Sequence, residues 1–96
     1  MIGDILKRTR TIYGYKASDM SELLQISKSY LSEIENNKKQ PSLELLEKYS
    51  EIYEMKLSSL ILLSENYDDA NKNNKGDKFI RNMMIKLIEK MTPDVE

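Results

Sequence analysis

Ser27-Lys28-Ser29-Tyr30-Leu31-Ser32-Glu33-Ile34-Glu35 is the stretch that decides how this 96-residue chain folds. Ser27 is a natural N-cap, a residue whose side-chain oxygen accepts from a backbone amide two or three positions on. Leu31 and Ile34 then share one side at helical spacing, while Lys28, Ser29, Ser32 and Glu33 fall on the other with short or hydrogen-bonding side chains. The pattern predicts a short helix from Lys28 to Asn36 with an apolar back and an uncluttered polar front.

Upstream, Gly14 is placed to end a first helix that begins near Ile2, and Met20, Leu23 and Leu24 mark a second short helix from Ser18 to Leu24. Only Gln25-Ile26-Ser27 separates it from the helix at Lys28, which is helix-turn-helix spacing. Ile26 is expected to be buried between the pair and to fix their crossing. A helix with a polar front, presented on such a turn, suits the major groove of double-stranded DNA.

Residues 2 to about 63 resemble the phage-repressor and Cro-like helix-turn-helix family, also called the Xre type. The resemblance is carried by Ile2-Gly3 and Arg10, then Gly14, Met20, Ile26-Ser27, Tyr30-Leu31-Ser32 and Ile34-Glu35. It continues through Pro41-Ser42-Leu43, Leu46, Leu57-Ser58 and Leu60. The opening Met-Ile-Gly and the Lys-Ser-Tyr-Leu-Ser core are more weakly similar to small biofilm and sporulation repressors of the same family. The resemblance implies an all-α chain: a five-helix lambda-repressor-like DNA-binding domain, followed here by a C-terminal amphipathic helix. Three positions depart from the family pattern. Ala17 replaces a Gln that grips phosphate, Lys16 occupies the usual Ser or Thr N-cap and so moves the expected cap to Ser18, and Asn37 stands in place of a Gly after the third helix. Asn tolerates the left-handed conformation that a helix end of this kind uses.

The remaining chain is read from its periodicity. Pro41-Ser42 opens a fourth helix, Leu43 to Tyr53, with Leu43, Leu46, Tyr49, Ile52 and Tyr53 toward the core. Ser58 is expected to cap a short fifth helix from Ser59 to Leu63. From Ser64 to Gly76 the composition turns to Asn, Asp and Lys and shows no period, which reads as a flexible polar linker. Asp77 then caps a last helix in which Ile80, Met83, Met84, Leu87, Ile88 and Met91 form a broad apolar stripe. The expected division is 1–64 DNA-binding domain, 65–76 linker and 77–92 C-terminal helix, whose stripe is expected to pair with a second copy or, as the alternative, to dock back on its own domain.

Composition removes several alternatives. With no Cys and no His the chain has no disulfide, no thiolate metal site, and neither a Cys nucleophile nor a His general base. No Gly-rich phosphate loop or suggestively spaced carboxylate pair is present, so an enzyme is not expected, nor is a cofactor or metal. No apolar run approaches a membrane span, no signal-peptide core opens the chain, and a reducing cytoplasm is the expected location. The formal net charge of −1 is unevenly spread. Residues 1–40 carry seven basic and five acidic groups, residues 41–70 two and seven, and residues 71–96 six and four. Acid is therefore concentrated behind the helix-turn-helix, where it suppresses loose nonspecific binding.

Under the family resemblance, Lys28, Ser29, Ser32 and Glu33 fall at base-reading positions. Lys can donate to guanine O6 or N7 and Glu can accept from cytosine N4, unless Glu33 instead holds Lys28 or a neighbouring basic side chain. Ser27, Asn36, Lys38, Lys39 and Ser42 are expected at phosphates, with the first amides of the fourth helix adding a helix N-terminus. Arg10 and Glu35 are expected as a partly buried structural pair, and Tyr13, Tyr15, Tyr49 and Tyr53 as core or interface rings. The reading that follows is a homodimeric repressor on a pseudo-palindromic operator. The competing one is an antitoxin or other regulator whose C-terminal segment binds a toxin or antirepressor.

Overall fold

The computed structural model describes residues 1–91, with side chains described through residue 89. Six helices follow one another: α1 Ile2–Ile12, α2 Ala17–Leu24, α3 Lys28–Glu35, α4 Leu43–Ile52, α5 Leu57–Lys72 and α6 Gly76–Met91. All regular structure among the described residues is helical.

One apolar stripe per helix builds the core. Ile5 and Leu6 of α1, Met20 and Leu24 of α2, Leu31 and Ile34 of α3, Leu45 and Tyr49 of α4, and Leu60 of α5 are buried together with Tyr53. In α2, α3 and α4 the two are three or four positions apart, the spacing that keeps side chains on one side of a 3.6-residue turn, while the adjacent Ile5 and Leu6 of α1 flank its inward side. Ile26, in the turn between α2 and α3, is half-buried against this cluster.

The helix ends share one device. After α1, Gly14 takes φ +80, its amide donates to Thr11 O, and Tyr15 N donates to Arg10 O. The same paired bonds close α2 at Gln25, α3 at Asn37, α4 at Glu54 and α5 at Asn74, all with φ between 50 and 59. These are Schellman closures, in which a left-handed residue turns the chain so that the last carbonyls find donors. Only the first uses glycine.

Several boundaries differ from the sequence-based expectation. The cap of α2 is Lys16, whose backbone N–H donates to Asp19 Oδ2 at 3.1 Å, and Ser18 lies inside the helix. The acidic side chain three positions on supplies what a Ser hydroxyl at the cap would not. Helix α4 starts behind the Ser42 cap as expected, and Leu46, Tyr49, Ile52 and Tyr53 lie on or against the core, but at its first turn the inward residue is Leu45, while Leu43 is 63% exposed. Leu23 likewise points outward at the end of α2.

The largest difference is the segment read as a linker. Helix α5 does not stop at Leu63 but runs to Lys72, and its cap is Lys56 rather than Ser58. Leu60, Leu63, Ser64 and Tyr67 continue one inward side, and Tyr67 meets Phe79 of α6 at a ring-centroid distance of 6.0 Å. A polar Ser at the turn midpoint and Asn and Asp beyond it hid that period. Only Asn73–Lys75 breaks the helical run, and α6 begins at Gly76.

Helix α6 turns back onto α5 and α1. Met83 and Leu87, read as oligomerisation residues, are buried in the chain's own core, and Ile80 packs against it. Burying two such side chains contributes roughly 1.5–3 kcal/mol each, enough to hold a sixteen-residue helix that would be marginal alone. Met84, Ile85 and Ile88 remain on the outward side of α6. The side chain of Met91 lies outside the described residues.

Candidate nucleic-acid interface

Helix α3 is mounted from both ends and from behind. At its start the Ser27 side chain accepts from Tyr30 N at 3.1 Å, satisfying one of the orphan donors of the first turn. On its inner side Leu31 and Ile34 sit in the core, and Glu35 is buried beside them. That carboxylate takes a two-pronged bond from Arg10, Nε to Oε2 at 2.7 Å and Nη2 to Oε1 at 3.0 Å. Arg10 Nη1 donates in addition to Tyr15 O at 2.9 Å. The Arg10 pKa is raised, first by the bond to Glu35, and burial works against it. Planar guanidinium and carboxylate match in this fork, so α1 and α3 are locked at one point by geometry that Lys could not reproduce.

The outward side of α3 carries Lys28, Ser29 and Ser32, all exposed, with Glu33 half-exposed. Glu33 Oε2 lies 3.8 Å from Lys39 Nζ, so its partner is a lysine of the following loop and not Lys28. Lys28 is left projecting from the first turn with no ion pair within 4 Å among the described residues. A carboxylate neutralised by its own neighbour removes the repulsion an isolated Glu would bring to a phosphate backbone.

The expected phosphate-side residues cluster at the margins of this front. Asn36 folds its amide back on Ser32, donating to the carbonyl at 2.9 Å and to Oγ at 3.2 Å. Lys38 and Lys39 are exposed on the loop that follows, and their amides donate to Glu33 O. Ser42 caps α4 by accepting from Leu45 N at 3.1 Å. Its hydroxyl hydrogen remains available, and the α4 amides beside it present the positive end of a helix. Between the turn and α4 lies a cleft of about 170 Å³ lined in part by Gln25, Ile26, Tyr30 and Ser42.

Behind the interface the tyrosines are structural. Tyr13 Oη donates to Tyr53 O at 2.8 Å, Tyr53 Oη donates to Leu6 O at 3.0 Å, and the Tyr13 and Tyr53 rings meet edge to face at 5.2 Å. Burial raises the pKa of Tyr49 and Tyr53 well above the ordinary value of 10.0, and that of Tyr13 to a lesser degree. No base-stacking ring emerges from this group.

One residue that motif reading treated only as a backbone substitute for glycine has a side chain at work. Asn37 reaches α1, accepting from Gly3 N at 3.0 Å and donating to Asp4 Oδ1 at 3.2 Å. Its signal in the sequence was the departure from glycine itself.

Comparison with known proteins agrees with this geometry. The helix-turn-helix family profile matches residues 6–60, more than half of the chain. The HTH-type transcriptional regulator SinR of Bacillus subtilis (strain 168) is 33% identical over 94 residues, covering 94% of this chain and 83% of that protein. SinR of Bacillus licheniformis is 30% identical over 92 residues, with the same coverage. The transcriptional regulator ClgR of Mycobacterium tuberculosis (strain ATCC 25618 / H37Rv) is 34% identical over 62 residues, 65% of this chain and 55% of that protein. No solved structure matches. No helix among the described residues is long and apolar enough to cross a membrane. With a helix-turn-helix built by α2 and α3, a matching family profile and relatives that align over nearly its whole length, the chain belongs to the Xre-type helix-turn-helix family of DNA-binding transcriptional regulators, which are not enzymes.

Proposed function

We propose that the chain is a homodimeric repressor in the cytoplasm that reads a pseudo-palindromic operator by laying α3 in the major groove. The observation that carries the reading is the two-sided character of α3: Leu31, Ile34 and Glu35 buried behind, Lys28, Ser29 and Ser32 open in front. Lys28 and Ser29, in the first helical turn, reach base edges, and Lys28 donates to guanine O6 or N7. Ser32 and the Lys39-paired Glu33 line the groove behind them. Ser27, Asn36, Lys38, Lys39 and Ser42 hold the phosphates on either side and set the register.

Dimerisation falls to the outward side of α6, where Met84 and Ile85 are 40% and 51% exposed. Met83 and Leu87 serve the same purpose indirectly, by seating α6 on its own domain. The second copy supplies the second reading helix, and the acidic residues 41–70 keep affinity per protomer low enough that both are needed.

Operator titration at several salt concentrations tests the assignment of α3. Lys28→Ala is expected to lose roughly 1–3 kcal/mol of discrimination at one base pair per half-site. Lys38→Ala should weaken all duplexes alike and lower the salt slope by about one. Two variants that lose affinity uniformly would mean that α3 holds DNA without reading it.

A further inference from the structure

We infer that Asn37 is a positioning residue for operator reading: its side chain clasps the end of α3 to the first turn of α1 and so sets the angle at which α3 and the Lys38–Lys39 loop meet DNA. The inference rests on the reading of α3 as the base-contacting helix.

The clasp has three parts. The backbone of Asn37 is left-handed, φ +59, and closes α3 through Asn37 N to Ile34 O and Lys38 N to Glu33 O. Its Oδ1 accepts from Gly3 N at 3.0 Å, an amide in the first turn of α1, a helix whose N-cap Met1 offers no side-chain bond. Its Nδ2 donates to Asp4 Oδ1 at 3.2 Å, while Asp4 Oδ2 faces the Met1 amine at 3.6 Å. Asn37 thus caps α1 from a distance of 34 residues in the chain while ending α3. The approach is close because residue 3 is glycine: a Cβ there would fall on Ile34 O and on Asn37 Oδ1.

Together with the Arg10–Glu35 fork, this gives the C-terminal half of α3 two fixed points on α1. Two points define an orientation where one leaves a pivot. A glycine at position 37 would close the helix equally well but would leave only the fork. Asn37 need not touch DNA for this role, and the residues it places, Asn36, Lys38 and Lys39, are those expected at phosphates.

Asn37→Gly separates the role from folding, because glycine takes positive φ without strain. We expect a melting temperature close to native, relief of backbone strain by glycine offsetting the two lost hydrogen bonds, and operator affinity lowered about tenfold because α3 is no longer held at one angle. Native affinity, or a loss that merely follows a falling melting temperature, would overturn the inference. An exchange of the two polar partners gives a second readout. Asn37→Asp alone sets two carboxylates against each other and should bind worse than Asn37→Gly. Asn37→Asp combined with Asp4→Asn restores an acceptor for Gly3 N and a donor–acceptor pair, and should recover affinity to within about threefold of native. A double variant no better than Asn37→Asp would overturn the clasp. Lys28→Ala titrated alongside keeps the two levels distinct. If it binds like the native chain, the reading of α3 fails and the inference with it. If it loses affinity while Asn37→Gly binds like the native chain, the inference alone fails.

Discussion

Tyr49 and Tyr53 lie side by side in the core, ring centroids 5.6 Å apart and both fully buried, yet their hydroxyls have opposite standing. Tyr53 Oη donates to Leu6 O at 3.0 Å. The Tyr49 hydroxyl has no hydrogen-bond partner among the described residues, although the charges of Glu35 and Arg10 are close enough to act on it. A buried hydroxyl without a partner costs desolvation and returns nothing, whereas removing one that is bonded strands its acceptor. Tyr53→Phe is therefore expected to lower stability by about 1–3 kcal/mol and Tyr49→Phe to leave it unchanged or slightly raised, read from denaturant midpoints. Equal losses in both would show that the Tyr49 hydroxyl has a partner in solution. The Arg10–Glu35 fork belongs to the same scale: with the Glu35 side chain 6% exposed, either group left alone would be a charge buried without compensation.

At the scale of the element, the four left-handed helix ends without glycine are the feature most open to improvement. Non-glycine residues in this region carry a strain on the order of 1 kcal/mol, and Asn bears it best because of its short polar side chain. Gln25 lacks that relief, so Gln25→Gly should raise the melting temperature, by about 1 kcal/mol of added stability. A lowered melting temperature would mean that the Gln25 side chain makes contacts worth more than the strain. The elements also show what the sequence could and could not disclose. Helices α1 to α4 were legible because each has apolar residues at helical spacing and a recognisable start or stop, as at Ser27, Ser42 and Gly14. The caps of α2 and α5 were not, since Lys16 works through its backbone and Asp19, and Lys56 makes no side-chain capping bond. The second half of α5 was hidden because its inward positions include Ser64, and the seat for Tyr67 is a ring of α6 that no local pattern announces. Of the site, the front of α3 and the Arg10–Glu35 pair could be placed by motif, but the partner of Glu33 and the reach of Asn37 to α1 depend on how loops and helices meet in space.

For the whole molecule, the docking of α6 changes what a dimer must be. A stripe on a free tail could pair in any orientation; a helix seated on α1 and α5 by Met83 and Leu87 presents its outward side, Met84 and Ile85, at a fixed angle to α3. If the chain pairs through that side as proposed, its rigid mounting relative to α3 is what a two-fold operator would demand, because symmetric half-sites one helical turn apart lie about 34 Å from centre to centre. A dimer mounted in this way would select for spacing as well as sequence. Selection of bound duplexes from random DNA tests this most directly, carried out with the native chain and with a variant bearing Met84→Glu and Ile85→Glu. The native chain is expected to enrich a short sequence twice, inverted, at one fixed spacing near one helical turn, and the variant to enrich the same short sequence once. A native chain that selects only a single unrepeated sequence, or a variant that still selects the inverted pair at the same spacing, would contradict it.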